Sequence, residues 1–205
     1  MADGREPARL AGVHSSGGEE EGGSERDAAE TLEAIRRGDA DAFDRMARQE
    51  SPRLYRFALH LTGRPEEAED LVQETLVRAL TSLRRFEGRA ALSTYLIRAL
   101  GNLWKNRLRA RSRSRFVEWF RGNALDPPDR APSAFDLLSA EDRAEQVRRA
   151  VARLDPQRRI TLLLRELEGL SYEEIATMTA VPVGTVRSRL ARARQDLRQW
   201  LGGPR

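Results

Sequence analysis

An all-α fold, with two small helical domains joined by a flexible linker and a helix-turn-helix in the second, is what this sequence predicts. Three observations carry the prediction. Apolar residues recur at helical spacing over most of the chain, and no stretch alternates as a half-buried strand would. Aromatic residues are only 6% of the 205, so the cores must be built from Leu, Val, Ile and Ala, which suits helix bundles better than sheets. Near the middle, Gly122, Pro127, Pro128 and Pro132 interrupt the periodicity, as a linker does.

Residues 1–28 are rich in Gly, Ser and Glu and lack periodic apolar positions, so they read as a disordered acidic tail. From Ala29 the pattern is helical. Leu32, Ile35, Ala42, Phe43 and Met46 fall on one face around a break at Gly38-Asp39. The segment from Pro52 to Leu61 continues as an amphipathic helix and stops at Thr62-Gly63, a C-terminal glycine signal. Pro65 opens the next helix, and Glu66 and Glu67 suit the positive end of its dipole. Leu71, Val72, Leu76, Ala79 and Leu80 are its expected buried stripe. After a loop around Phe86–Arg89, Ser93-Thr94-Tyr95 starts a long helix to about Arg111, with Leu96, Leu100, Leu103 and Leu108 as its apolar positions. The first domain is thus expected over 29–112 and the linker over 113–137, where Phe116, Trp119 and Phe120 leave room for a short docked helix.

The second domain is expected over 138–202. Ser139-Ala140-Glu141-Asp142 looks like a capping signal for a helix that turns Val147, Val151 and Leu154 inward. Asp155-Pro156 ends that helix, and another runs from Arg158 to Leu167 before Gly169. Ser171-Tyr172-Glu173-Glu174 is a capping box, with serine at the cap and glutamate three residues on. It opens a short helix with Ile175 and Ala176 facing in. A turn near Thr179–Val181 leads to a last long helix, where Val186, Leu190, Ala193, Leu197 and Leu201 form one apolar face.

Charge is distributed unevenly. The net is +4, but residues 1–30 hold eight acids against three arginines, whereas 83–121 hold eleven basic residues against Glu87 and Glu118. A basic block followed by a second near the C-terminus points to a polyanion as partner. The chain has no cysteine, which excludes disulfides, thiol catalysis and Cys-type zinc sites. His14 and His60 are far apart, so no metal site is expected. There is no apolar run of the roughly 20 residues that span a bilayer, and no signal-peptide pattern. No membrane insertion is expected, and the cytoplasm is the expected location. Walker-type and Rossmann-type glycine strings are absent, no carboxylate is paired with a nucleophile, and neither an enzyme activity nor a cofactor is expected.

The final helix poses the sharpest question. VGTVRSRLARAR, residues 183–194, holds four arginines and no acid. Alone it reads equally as a solvated charged face. A short capped helix, a turn and an arginine-bearing helix together make a helix-turn-helix. In that motif Arg187 and Arg192 reach guanine edges or phosphates.

At this point LSYEEIATMTAVPVGTVRSRLARAR resembles the C-terminal helix-turn-helix of extracytoplasmic-function sigma factors, the dissociable specificity subunits of bacterial RNA polymerase. SPRLYRFALHLTGRPEEAEDLVQETLVRAL resembles the polymerase-binding region of the same family. From the residues alone, DLVQET is the acidic outer face of an amphipathic helix. The resemblance implies that this face docks on core RNA polymerase through Asp70, Gln73 and Glu74. Acidic and amide groups meeting a basic helix pair are electrostatically complementary. The resemblance likewise implies that residues 29–112 are sigma region 2 and 138–202 sigma region 4. The long helix of the first domain would capture the minus-ten promoter element with Tyr95, Arg98, Asn102, Lys105 and Asn106, flipping a base out of the stack. The last helix would read the minus-thirty-five element with Thr185, Arg187, Ser188 and Arg192. Promoter DNA, core polymerase and an anti-sigma factor are the implied partners.

The sequence departs from the family at three positions. Tyr95 stands where tryptophan is usual, Ile97 where an aromatic is usual, and Gly101 where Arg, Ala or Val is more frequent. A glycine inside a helix costs about 0.5–1 kcal/mol. An altered minus-ten preference is the expected consequence. Two other readings of the residues stand beside this one. One is a helix-turn-helix regulator that binds an operator without entering polymerase. The other is an interaction protein whose basic helices take RNA or an acidic partner.

Overall fold

The computed structural model describes residues 29–83, 86, 91–120 and 140–202, with side chains over 29–83, 86, 91–111 and 143–202. The acidic tail, most of the loop near Phe86 and the Pro-rich segment lie outside them. All regular structure among the described residues is helical.

Helix α1 covers residues 29–36 and buries Leu32 and Ile35. Gly38, at φ 90°, turns the chain into α2 (Ala40–Thr62), whose first turn is capped by the Asp39 side chain accepting from the Ala42 N–H at 3.0 Å. Pro52 lies inside α2 without ending it. The helix closes at Gly63, φ 72°, a left-handed conformation that glycine adopts freely. Pro65 is the first residue of α3 (Pro65–Ser82) and α4 spans Leu92–Phe120. Helix α4 therefore runs nine residues past the expected end near Arg111 and takes in Phe116, Trp119 and Phe120. Helices α2, α3 and α4 pack on one another around Leu54, Phe57, Leu61, Leu71, Leu96 and Leu100.

The second half comprises α5 (Ala140–Arg153), α6 (Pro156–Glu166), α7 (Tyr172–Thr179) and α8 (Val183–Leu201). The Ser139 capping signal lies outside the described residues. Asp155 caps α6 by accepting from the Gln157 N–H at 2.9 Å, so the residue pair that ends one helix begins the next. Helices α5, α6 and α7 all pack on α8, around Leu154, Leu164, Ile175, Val186 and Leu190.

Two stripe assignments need correction. Leu80 is 44% exposed and Val147 is 41% exposed, whereas both were expected inside. Thr75 takes the inward place on α3. Its hydroxyl donates to Leu71 O at 2.7 Å, which removes the penalty of burying it. Ala150 takes the corresponding place on α5. The two halves are also in contact: α5 and α6 pack against α2, and the apolar interior is continuous from one half to the other.

Candidate nucleic-acid and partner interfaces

The helix-turn-helix is built by local rules. Ser171 Oγ accepts from the Glu174 N–H at 3.2 Å, and Glu174 Oε2 accepts from the Ser171 N–H at 2.7 Å, completing the capping box of α7. The Ser171 backbone N–H holds the Glu174 carboxyl below its ordinary pKa. Ala180 turns at φ 55°, and Pro182 sets the start of α8. The buried residues Val186, Leu190 and Ala193 hold α8 by its apolar face, and polar contacts fix the rest of it. Arg194 donates to Glu166 at 2.7 Å, Arg158 donates to Asp196 at 2.8 Å, and the Arg153 guanidinium lies 4.6 Å from the Trp200 ring centre. Arg194 is therefore a structural anchor.

N-terminal to these anchors on α8, Arg187, Ser188 and Arg192 are exposed and Thr185 is half-buried. Ser188 Oγ donates to Thr185 O at 3.0 Å. Among the described residues, neither Arg187 nor Arg192 has a carboxylate partner. Two cations held unneutralised on a rigid helix are what a phosphate backbone or a guanine edge needs.

On α4, Arg98, Asn102, Asn106 and Arg109 are exposed along one stripe, with Lys105 half-buried beside them. Burial, reinforced by the like charges of Arg109, Arg98 and Arg189, lowers the Lys105 pKa. Tyr95 lies at the head of the stripe. Its ring sits 4.5 Å from Phe86, and its hydroxyl donates to Ser82 Oγ at 2.8 Å. Ile97 is 1% exposed and belongs to the core, so this departure is on the side of α4 turned away from Arg98 and Asn102.

On α3, Asp70 and Gln73 are exposed and Glu74 is half-buried. Glu74 is the most constrained of the three. One oxygen accepts from Arg78 at 2.6 Å, and the other accepts from Arg107 Nε at 3.0 Å and Nη2. The hydrogen bond from Arg107 is the chief reason its carboxyl is held below the usual range. Sequence reasoning missed two neighbours: Val77, 69% exposed, and Leu80 continue the Asp70–Gln73 stripe along α3. Their signal was a surplus of apolar residues over what one helical face can bury. Among the described residues no His, Asp and Glu cluster could hold a metal ion, and no helix is long and apolar enough to cross a membrane.

Comparison with known proteins separates the readings left open by the residues. The family Sigma-70 region 2 matches residues 46–114, and Sigma-70, region 4 matches 144–197. RNA polymerase sigma-H factor of Pseudomonas aeruginosa is 35% identical over 178 residues, covering 81% of this chain and 89% of that protein. The chain belongs to the extracytoplasmic-function sigma factors of RNA polymerase. This sigma factor is also 33% identical to the ECF RNA polymerase sigma-E factor of Salmonella typhimurium, over 81% of this chain and 90% of the other. Its fold is similar to that of the sigma factor RpoE solved in complex with the anti-sigma factor NepR from Bartonella quintana. The TM-score is 0.62 at 29% identity, covering 80% of this chain and 98% of that one. As a sigma factor it directs promoter-specific initiation by RNA polymerase and belongs to a family that is not enzymatic. The regulator acting outside polymerase is not favoured.

Proposed function

We propose that the two halves divide the work of promoter recognition. Region 2, residues 29–112, docks on core polymerase through Asp70, Gln73 and Glu74 on α3, with Val77 and Leu80 adding apolar area. The opposite charge pattern on α4 captures the minus-ten element through Tyr95, Arg98, Asn102, Lys105 and Asn106. Region 4, residues 138–202, sets position on the minus-thirty-five element with Thr185, Arg187, Ser188 and Arg192. The segment 113–137 links the halves through polymerase, less the part that α4 already occupies. Phosphodiester chemistry stays with polymerase. The cytoplasm is the site of action, and an anti-sigma factor is the proposed regulator, by likeness to the relative solved with one.

One observation carries this reading. Exposed cations without carboxylate partners on α8 coexist in one chain with an exposed acid, amide and apolar stripe on α3. A lone operator-binding protein has no need of the second surface. Run-off transcription with purified core polymerase across a promoter library tests it. Selective initiation from a subset of promoters is the expected result. Operator binding by the chain alone, with no effect on polymerase, would refute it.

A further inference from the structure

The match to region 2 begins at residue 46, so helix α1 lies before it, and none of the promoter or polymerase contacts lies on it. One of its side chains nevertheless reaches the head of the α4 stripe. Arg36 is on the last turn of α1, which Leu32 and Ile35 anchor in the core at 8% and 3% exposed. The turn after it is closed by the Gly38 N–H donating to Ile35 O and the Asp39 N–H donating to Ala34 O, both at 3.0 Å. The Arg36 guanidinium is divided between two acceptors. Nη1 donates to Glu33 Oε1 at 2.5 Å, and Nη2 donates to the carbonyl of Phe86, fifty residues on. The Phe86 N–H donates to Leu83 O at 3.1 Å, so both polar backbone groups of Phe86 are engaged. Its ring lies 4.5 Å from that of Tyr95, tilted by 45°. Tyr95 is tied down separately: its hydroxyl donates to Ser82 Oγ at 2.8 Å, and Ser82 Oγ donates to Arg78 O at 2.9 Å on α3. Both rings are half-buried, so the pair keeps ring surface open to solvent.

The geometry points to Arg36 and Ser82 as positioning residues for strand capture, fixing the Phe86–Tyr95 pair as a preset stacking surface for an unpaired minus-ten base. This rests on the minus-ten role proposed for Tyr95. A base gains most from a ring already held in place, because no rotamer freedom is lost when it arrives. Tyrosine at position 95, where tryptophan is usual in the family, matters here. An indole has an N–H but no hydroxyl, and the bond to Ser82 is made by the hydroxyl. Glu33 pairs with Arg36, so the arginine contributes direction to the Phe86 carbonyl more than free charge to a phosphate. Tyr95, Arg98 and Asn102 follow one another at i, i+3 and i+7 on one face of α4, so a strand leaving the rings meets those side chains next.

Holoenzyme assembled from core polymerase and the full chain is offered two DNA pools randomised over the promoter elements. One is a fork whose minus-ten non-template segment is unpaired. The other is the same duplex trimmed before that segment. The ratio of fork to trimmed-duplex affinity reads strand capture alone, and core affinity and the urea midpoint are measured on the same proteins. Arg36→Met keeps the stem and removes the donors. It should lower the ratio about fivefold, the lower end of what one base–aromatic stack contributes. Ser82→Ala should do the same without weakening α3, since alanine is the best helix former. Arg36→Lys keeps a donor for the Phe86 carbonyl and should recover most of the ratio. Glu33→Ala breaks the other bond of Arg36 and should leave the ratio unchanged. A ratio unchanged in Arg36→Met or in Ser82→Ala overturns the role of that residue. An equal loss from Glu33→Ala and Arg36→Met also overturns the role of Arg36, because it assigns the effect to the stability of α1. A wild-type chain with no fork advantage removes the minus-ten role of Tyr95, and both positioning roles fall with it.

Discussion

Arg107 of α4 donates from Nε to Glu74 of α3 at 3.0 Å, while Arg78 holds the other carboxylate oxygen. A residue assigned to the polymerase-docking face therefore also joins two helices of its own bundle. Glu74→Gln keeps the shape and removes the charge. A half-exposed pair of this kind is worth about 0.2–1 kcal/mol. The folded-state pKa of Glu74 is depressed. Its stabilisation is present above the unfolded carboxylate value near 4.3 and is lost as pH falls through the lower folded value. Urea unfolding should separate wild type from Glu74→Gln at pH 7, and the two should converge near pH 2. A gap that persists in acid would assign the effect to something other than the ion pair.

The α3 stripe gives a cleaner handle on polymerase. Val77 is exposed, so Val77→Asp should change stability by no more than about 0.5 kcal/mol. Placed in a docked interface, the same charge should weaken core polymerase binding by about 1–2 kcal/mol. Gln73→Ala should act in the same direction. Fluorescence anisotropy of labelled chain titrated with core measures this. Unchanged affinity for Val77→Asp would remove Val77 from the interface.

The readable and unreadable parts of this molecule divide along sequence distance. Signals resolved within four residues were legible: Pro65 starting α3, Gly63 ending α2, Asp155 before Pro156, and the Ser171–Glu174 box. The arginines left for DNA were half-legible. Spacing separates Arg187, Arg192 and Arg194 from the apolar face, but only the docked position of Glu166 shows that Arg194 is engaged. Leu80 and Val147 satisfied the helical period and still face outward, because period does not say which neighbouring helix is present to cover a residue. Gly101 read as a defect of α4. Its reason is Ile160, fifty-nine residues later on another helix, and no local pattern contains that information.

Ser171 tests how much of the recognition helix depends on the helix before it. Ser171→Ala removes the acceptor of the Glu174 N–H, at a cost of about 1 kcal/mol. The exposed cationic stripe of α8 is untouched. Promoter selectivity should therefore persist at low temperature, while the urea midpoint falls. Altered promoter preference at a temperature where the variant is fully folded would show that α7 does more than position α8.

The last prediction concerns the arginines themselves. Arg187 and Arg192 are exposed on α8, N-terminal to its anchors, and have no carboxylate partner among the described residues. Replacing either with alanine leaves the core of the second half intact and should cost little stability. If an arginine makes a bidentate contact to guanine, its loss should cost about 1–3 kcal/mol and relax preference at one position of the minus-thirty-five element. If it contacts phosphate alone, binding should weaken evenly across sequences and the salt dependence should fall by about one unit of slope. Measuring holoenzyme binding to a library of minus-thirty-five variants at several salt concentrations distinguishes the two. Arg194→Ala is the internal control. It breaks the bond to Glu166 and should lower stability without selecting among sequences. A position-specific loss from Arg194→Ala, with none from Arg187→Ala or Arg192→Ala, would mean that α8 meets base edges through its later turns and not through Arg187 and Arg192.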